Sequence, residues 1–154
     1  MNFRKKIDRW LSWVLIIIMS LMVINVLWQV FTRYIVGTPS SFTDELARYL
    51  MIWLGILGAA YVSGQKMHVA IDILATRSGI KTRKRLGFTV NILITLFAIT
   101  GLVIGGIRLV VITYILDQHS PALQLPLAAL YLVLPISGMF IIYYKVSDLL
   151  NPKV

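Results

Sequence analysis

The sequence predicts an all-α membrane protein with four transmembrane helices, and three observations carry that prediction. Of its 154 residues, 58% are hydrophobic and only 14% are charged, well away from the balance of a soluble domain. The apolar residues are gathered into long runs, and runs of about 18 or more mark membrane helices. The basic residues stand in blocks between those runs, which is how membrane topology is encoded. That block pattern turns the net charge of +9 into a topology signal and argues against nucleic-acid binding. The chain has no cysteine, so disulfides, thiolate chemistry and cysteine metal sites are excluded.

The first span is placed at 11–34. A short basic start, Arg4, Lys5, Lys6 and Arg9 against Asp8, precedes an uncharged run from Leu11 to Thr32. The run is too long for the 7–15 residues of a signal-peptide core and lacks a small-residue cleavage site, so it reads as a retained span. Asn25, Gln29 and Thr32/Arg33 recur every three or four residues and therefore share one helix face. A polar stripe in lipid should face protein, which points to interhelical hydrogen bonds, with a substrate path as the sharper alternative.

Gly37 to Ser41 is a turn by composition. Ser41 or Thr43 is the expected cap of the second helix, with Asp44 and Glu45 in its first turn, where the helix dipole favours negative charge. Arg33 stands across this turn from both carboxylates, and a contact between Arg33 and Asp44 or Glu45 is expected to brace the outer rim. The second span is placed at 42–63. Gly55, Gly58, Ala59 and Ala60 offer a surface for close helix approach, while Trp53 is open between lipid and packing.

A polar connection from Gly64 to Arg85 follows. Within it Met67, Ile71 and Leu74 alternate with His68 and Asp72 at helical spacing. Residues 66–77 therefore read as a short interfacial helix or a continuation of the second span, with His68 and Asp72 as an i,i+4 pair. Two such residues are too few for a usual closed metal site.

The third span, 86–116, exceeds the roughly 20 residues needed to cross, so it should tilt or project, with Arg108 near its far rim. Gly101 and Gly105 form a second small-residue face. Asp117 to Pro121 makes the outer loop. Pro126 suits the start of the fourth helix, placed at 125–145, and Pro135 inside it should bend it. Lys and Arg number four in the first ten residues, six in the 64–85 connection and two in the tail, against Arg33, Arg48 and Arg108 elsewhere. Both termini and the long connection are therefore expected in the cytoplasm, with 1–154 forming one four-helix domain.

All six carboxylates lie at span ends or in loops, so the embedded carboxylate of a proton-coupled exporter is missing. Paired intramembrane histidines for haem, thiols for redox work and a phosphate cradle are missing too. No catalytic, cofactor-binding or metal residues can be assigned, and an accessory membrane subunit is the best class.

Several motifs then follow one another in order: Trp28-x-x-Phe31-x-Arg33-Tyr34, Glu45, Trp53, Gly58-Ala59-Ala60, His68-Val69-x-Ile71-Asp72, Ser120-Pro121-Ala122-Leu123-x-Leu125-Pro126 and Tyr131. From about Trp10 to Tyr144 the chain resembles the small membrane subunit of tripartite ATP-independent periplasmic (TRAP) transporters. That resemblance implies a multi-pass protein of the bacterial or archaeal inner membrane. It implies a stable complex with a large membrane subunit, which holds the substrate and sodium sites, and transient contact with a periplasmic substrate-binding protein. The implied solutes are organic acids such as C4-dicarboxylates or sialic acids. It implies a scaffold with no cofactor, whose contact candidates are Asn25, Gln29, Arg33, Asp44, Glu45, Trp53, His68, Asp72 and Pro126. An independent small channel or exporter would instead need a polar lumen when purified alone. An integral membrane enzyme would need activity without partners.

Overall fold

The computed structural model of the chain describes residues 2–37, 40–65 and 80–150. Among the described residues four helices are long and apolar enough to cross a membrane: Arg4–Val36, Ser41–Gly64, Leu86–Ile115 and Leu127–Leu149. The expected helix at 66–77, with His68 and Asp72, lies outside the described residues.

The first helix starts earlier than its apolar run, at Asn2, and reaches Phe31 before passing into a wider π turn, Thr32–Val36. No glycine or proline interrupts it until Gly37, whose φ of 75° is the left-handed conformation that ends helices and favours glycine. The second helix begins at Ser41 after an extended Ser40, and the expected side-chain cap is not formed. Thr43 is buried, and its hydroxyl donates back to the Ser40 carbonyl at 2.9 Å.

The third helix runs on from Ile80, six residues before its apolar stretch, and contains a π segment, Ala98–Gly105, between Phe97 and Gly106. The fourth is split into Leu127–Tyr131 and Val133–Leu150. The break falls where expected: Pro135 has no N–H to give the Tyr131 carbonyl, and the next amide, Ile136, reaches Leu132 at 3.3 Å.

The four spans form an open row in the order first, second, fourth, third, with no substantial packing of the first on the third among the described residues. Of the most apolar stretch of the fourth span, 44% is buried in the chain, against 11%, 17% and 11% for the first three, so the fourth is the centre of the row. Its upstream side closes a core of Leu11, Ile18, Leu57, Val133 and Tyr144, with Trp53 packed against it. Its other side meets Ala60 and Ala98 through Ile141. Trp53 is therefore a packing residue.

Close helix approach is made at glycines other than the expected ones. A side chain on Gly106 would meet Leu134 Cβ at 2.8 Å and Pro135 Cδ at 3.0 Å. One on Gly138 would meet Val103 Cγ2 at 2.9 Å and Leu102 Cβ at 3.0 Å, and one on Gly64 would strike the Tyr144 ring at 2.7 Å. Gly55 and Gly58 have open space around them, and Gly101 and Gly105 meet only atoms of their own helix. The reason is geometric: the row leaves the 55–59 and 101–105 faces without a helix opposite them.

Candidate functional site

One end of the row is built around Glu45, one turn into the second helix. Glu45 Oε2 accepts hydrogen bonds from the Ala122 amide at 2.9 Å, the Leu123 amide at 2.8 Å and the Ser120 hydroxyl at 3.1 Å. Its Oε1 accepts from the Tyr49 hydroxyl, one turn along the same helix, at 2.9 Å. One carboxylate thus ties the first hairpin to the loop joining the third and fourth spans. Charge-assisted bonds of this kind are stronger than neutral ones.

The loop is shaped to meet it. Asp117 and Gln124 take positive φ values of 48° and 52°, which turn the chain back on itself. Ser120 N donates to Leu125 O at 2.9 Å, and Leu127 N donates to Gln118 O at 2.9 Å. Ser120 is fully buried. Pro126 sits immediately before the fourth helix with φ −66° and ψ 122°, one position outside the first turn in which it was expected.

Two positions of the first span's polar stripe, Asn25 and Gln29, meet the second span. The buried Asn25 donates its Nδ2 to the Thr43 carbonyl at 2.7 Å. Gln29 Nε2 reaches Asp44 Oδ1 at 3.4 Å, and Thr32 Oγ1 donates to Gln29 O at 3.0 Å. The bonds of Asn25 and Gln29 fasten the first helix to the second, whereas that of Thr32 stays within its own helix. Asn25→Leu is expected to lower the stability of the purified chain by about 1 kcal/mol in detergent, the usual size for such a bond in a membrane bundle. Thermal unfolding checks this, and a stability equal to wild type would show that Asn25 fastens nothing.

Arg33 does not contact Asp44 or Glu45. Its guanidinium lies 5.9 Å from the ring centre of its neighbour Tyr34. Asp44 pairs with Arg48 on its own helix, Nη2 to Oδ2 at 2.7 Å. An i,i+4 partner on the same helix is held in reach by the backbone, whereas Arg33 sits in the π turn beyond the second helix's start. Glu45 is occupied by the loop.

A second polar cluster joins the opposite end of the row, and sequence reasoning missed it. Arg4 Nη1 pairs with Asp148 Oδ1 at 2.7 Å, and its Nη2 donates to the Gly64 carbonyl. The same guanidinium lies 5.3 Å from the Tyr144 ring centre, and the Tyr144 hydroxyl donates to Asp8. Lys145, fully buried, has its Nζ 3.4 Å from the Ser63 carbonyl. Partners 60 or more residues apart leave no local spacing to read. The one available sign was scarcity: Asp8 and Asp148 stand alone among basic neighbours.

The arrangement turns polar side chains onto other parts of the chain at both ends and leaves a largely apolar exterior. Comparison with known proteins gives this geometry a context. Residues 21–152 match the family described as tripartite ATP-independent periplasmic transporters, DctQ component. A putative TRAP transporter small permease protein of Haemophilus influenzae is 37% identical over 71 residues, 46% of this chain and 44% of that protein. A second protein of that description and organism is 26% identical over 139 residues, 90% of this chain and 82% of that protein. The isethionate TRAP transporter permease protein DctMQ of Oleidesulfovibrio alaskensis is 29% identical over 101 residues, 66% of this chain but 16% of that much longer protein.

Proposed function

The chain belongs to the DctQ-component family of TRAP transporters, a transport family and not an enzyme family, and from that premise we propose that it is a fixed scaffold for a large permease subunit. In this reading the large subunit carries the substrate and sodium sites. The small subunit gives its moving part a rigid surface. The solute is an organic acid anion, in keeping with the isethionate named for one relative. The complex sits in a bacterial inner membrane and receives solute from a periplasmic binding protein. Both termini and the 64–85 connection are cytoplasmic, by the weight of their basic residues.

One observation carries the scaffold role. The polar side chains of the first two spans are used to fasten helices: Asn25 on Thr43, Gln29 on Asp44 and Glu45 on the 120–123 loop. A driven carrier places such groups, or unwound backbone, around a solute and ion near the midplane. Here the corresponding groups hold one helix against another.

The test is uptake into proteoliposomes containing this chain, the large permease, or both, with the binding protein present throughout. Full uptake is expected only with both. Solute accumulation by this chain alone, under a sodium or proton gradient, would overturn the scaffold assignment.

A further inference from the structure

We propose that the groove between the first and second helices holds one anionic phospholipid, with an acyl chain along the groove and its phosphate at Lys5, Arg9 and Tyr61. The site does not depend on the scaffold reading. The groove has a volume of about 640 Å³. The first helix lines it with Ser12, Ile16, Met19 and Val23, and the second with Leu54 and Tyr61. Lys5 and Arg9 continue the first helix's line. Positions 5, 9, 12, 16, 19 and 23 are spaced four, three, four, three and four, so they share one helix face.

The second helix runs against the first, with Gly64 on Arg4 at one end and Thr43 on Asn25 at the other. Three residues back from Gly64, Tyr61 stands level with Ile7, between Lys5 and Arg9. The three polar residues therefore meet at one mouth of the groove. Lys5 and Arg9 are exposed, and neither they nor the Tyr61 hydroxyl make a hydrogen bond or ion pair among the described residues. The carboxylates nearby are engaged elsewhere: Asp8 accepts from the Tyr144 hydroxyl and Asp148 from Arg4.

Length and charge together choose the occupant. From Ser12 to Ile24, its far end, the groove is about 18 Å long at 1.5 Å per residue. That is close to the depth of one leaflet, half of a hydrocarbon core of roughly 30 Å. The groove ends at the level where Asn25 fastens on Thr43, and no charged residue follows on the first helix before Phe31. Trp10 and Trp13, both exposed, stand just past the cations, at the level expected of a membrane interface. A cationic mouth at the interface, leading into an apolar channel one leaflet deep, is complementary to a phosphate head with a fatty tail. A helix crossing the whole membrane would overrun this groove by about a factor of two. A zwitterionic lipid would bring an ammonium towards two cations, whereas an anionic one brings none. Each such cation is worth about fivefold in affinity for anionic lipid.

Native mass spectrometry of the full chain counts retained lipids while dioleoyl phosphatidylglycerol or dioleoyl phosphatidylcholine is titrated in. Wild type is expected to retain one phosphatidylglycerol at a concentration at least about tenfold lower than it needs for phosphatidylcholine. Lys5→Gln/Arg9→Gln, at two exposed positions, should lose that preference. Ile16→Trp/Met19→Trp fills the groove, leaves the cations, and should raise the phosphatidylglycerol concentration needed at least about tenfold. Leu21→Trp adds the same bulk at an exposed position off the groove and should change nothing. A wild type that retains the two lipids alike, a glutamine pair that keeps the preference, or a tryptophan pair that binds as wild type does would each overturn the site. The same titration is made on the complex with the large permease. One phosphatidylglycerol held by the wild-type complex and lost from the glutamine pair supports the lipid. No difference between those two complexes would mean that a protein helix fills the groove, which overturns the assignment. None of these outcomes bears on the scaffold reading, which the uptake experiment tests separately.

Discussion

Glu45→Ala is expected to release the loop between the third and fourth spans, with cleavage inside 117–126 by an added protease roughly tenfold faster than in wild type. Four donors converge on this carboxylate, and three come from residues 75 or more positions away. Alanine removes the acceptor and leaves the donors. The Ser120 hydroxyl suffers most, because Ser120 has no exposed surface from which to find water. Transport by the assembled complex should fall with loop order, since the loop also starts the fourth helix, the centre of the row. Glu45→Gln should lie between alanine and wild type. Its carbonyl can still accept from Ala122 and Leu123, and its amide can donate to the Tyr49 oxygen, but the negative charge is gone. Protection of 117–126 unchanged in the alanine variant would show that the loop holds its own shape and that Glu45 only follows it.

What was legible in the sequence follows from which contacts are local. The spans were readable because membrane length and charge exclusion act on each segment alone. Of the Asn25, Gln29 and Thr32/Arg33 stripe, Asn25 and Gln29 were readable for the same reason, since polar residues on one helix face have to meet protein and these two meet the second span, whereas Thr32 bonds its own helix and Arg33 is exposed. Pro135 announced its break because the missing N–H is a property of that residue.

The errors share the opposite cause. Arg33 was matched to Asp44 and Glu45 by scarcity of charge, but pairing is decided by reach. Arg48 was one turn from Asp44, and a loop 75 residues distant closed on Glu45. Ser120 to Leu123 stood out as a motif, yet its partner could not be named without knowing that the second and fourth spans lie side by side. The cluster of Arg4, Asp8, Tyr144 and Asp148 at the opposite end of the row joins the two ends of the chain and has no sequence spacing at all. The π segment at 98–105 depends on what the third helix must fit, and what it fits is Gly138 on another helix.

That last contact gives the largest effect expected within the chain. Gly138→Leu should detach the third span from the fourth and cost about 3 kcal/mol or more, beyond the usual range for an overfilled site. The space is bounded on three sides: Val103 Cγ2 at 2.9 Å, Leu102 Cβ at 3.0 Å and the Ala98 carbonyl at 3.4 Å from where the first added carbon would stand. Two of these are fixed close to backbone, so a rotamer change does not make room. Gly106→Leu should act alike, since Leu134 Cβ and Pro135 Cδ crowd it and the proline ring is rigid. Gly55→Leu supplies the contrast. It adds the same side chain to a span of similar length, at a position with no neighbour within 4 Å, and should change the stability of the isolated chain by less than about 0.5 kcal/mol. Thermal unfolding of the three purified variants in one detergent measures the ranking. Equal losses for Gly55 and Gly138 would mean that the fit of the third span against the fourth does not set the cost, since leucine is the better helix former at both positions. A loss confined to Gly106 and Gly138 would show that close packing at the third–fourth contact, the one that leads into the 117–126 loop held by Glu45, carries stability that the open Gly55 face does not.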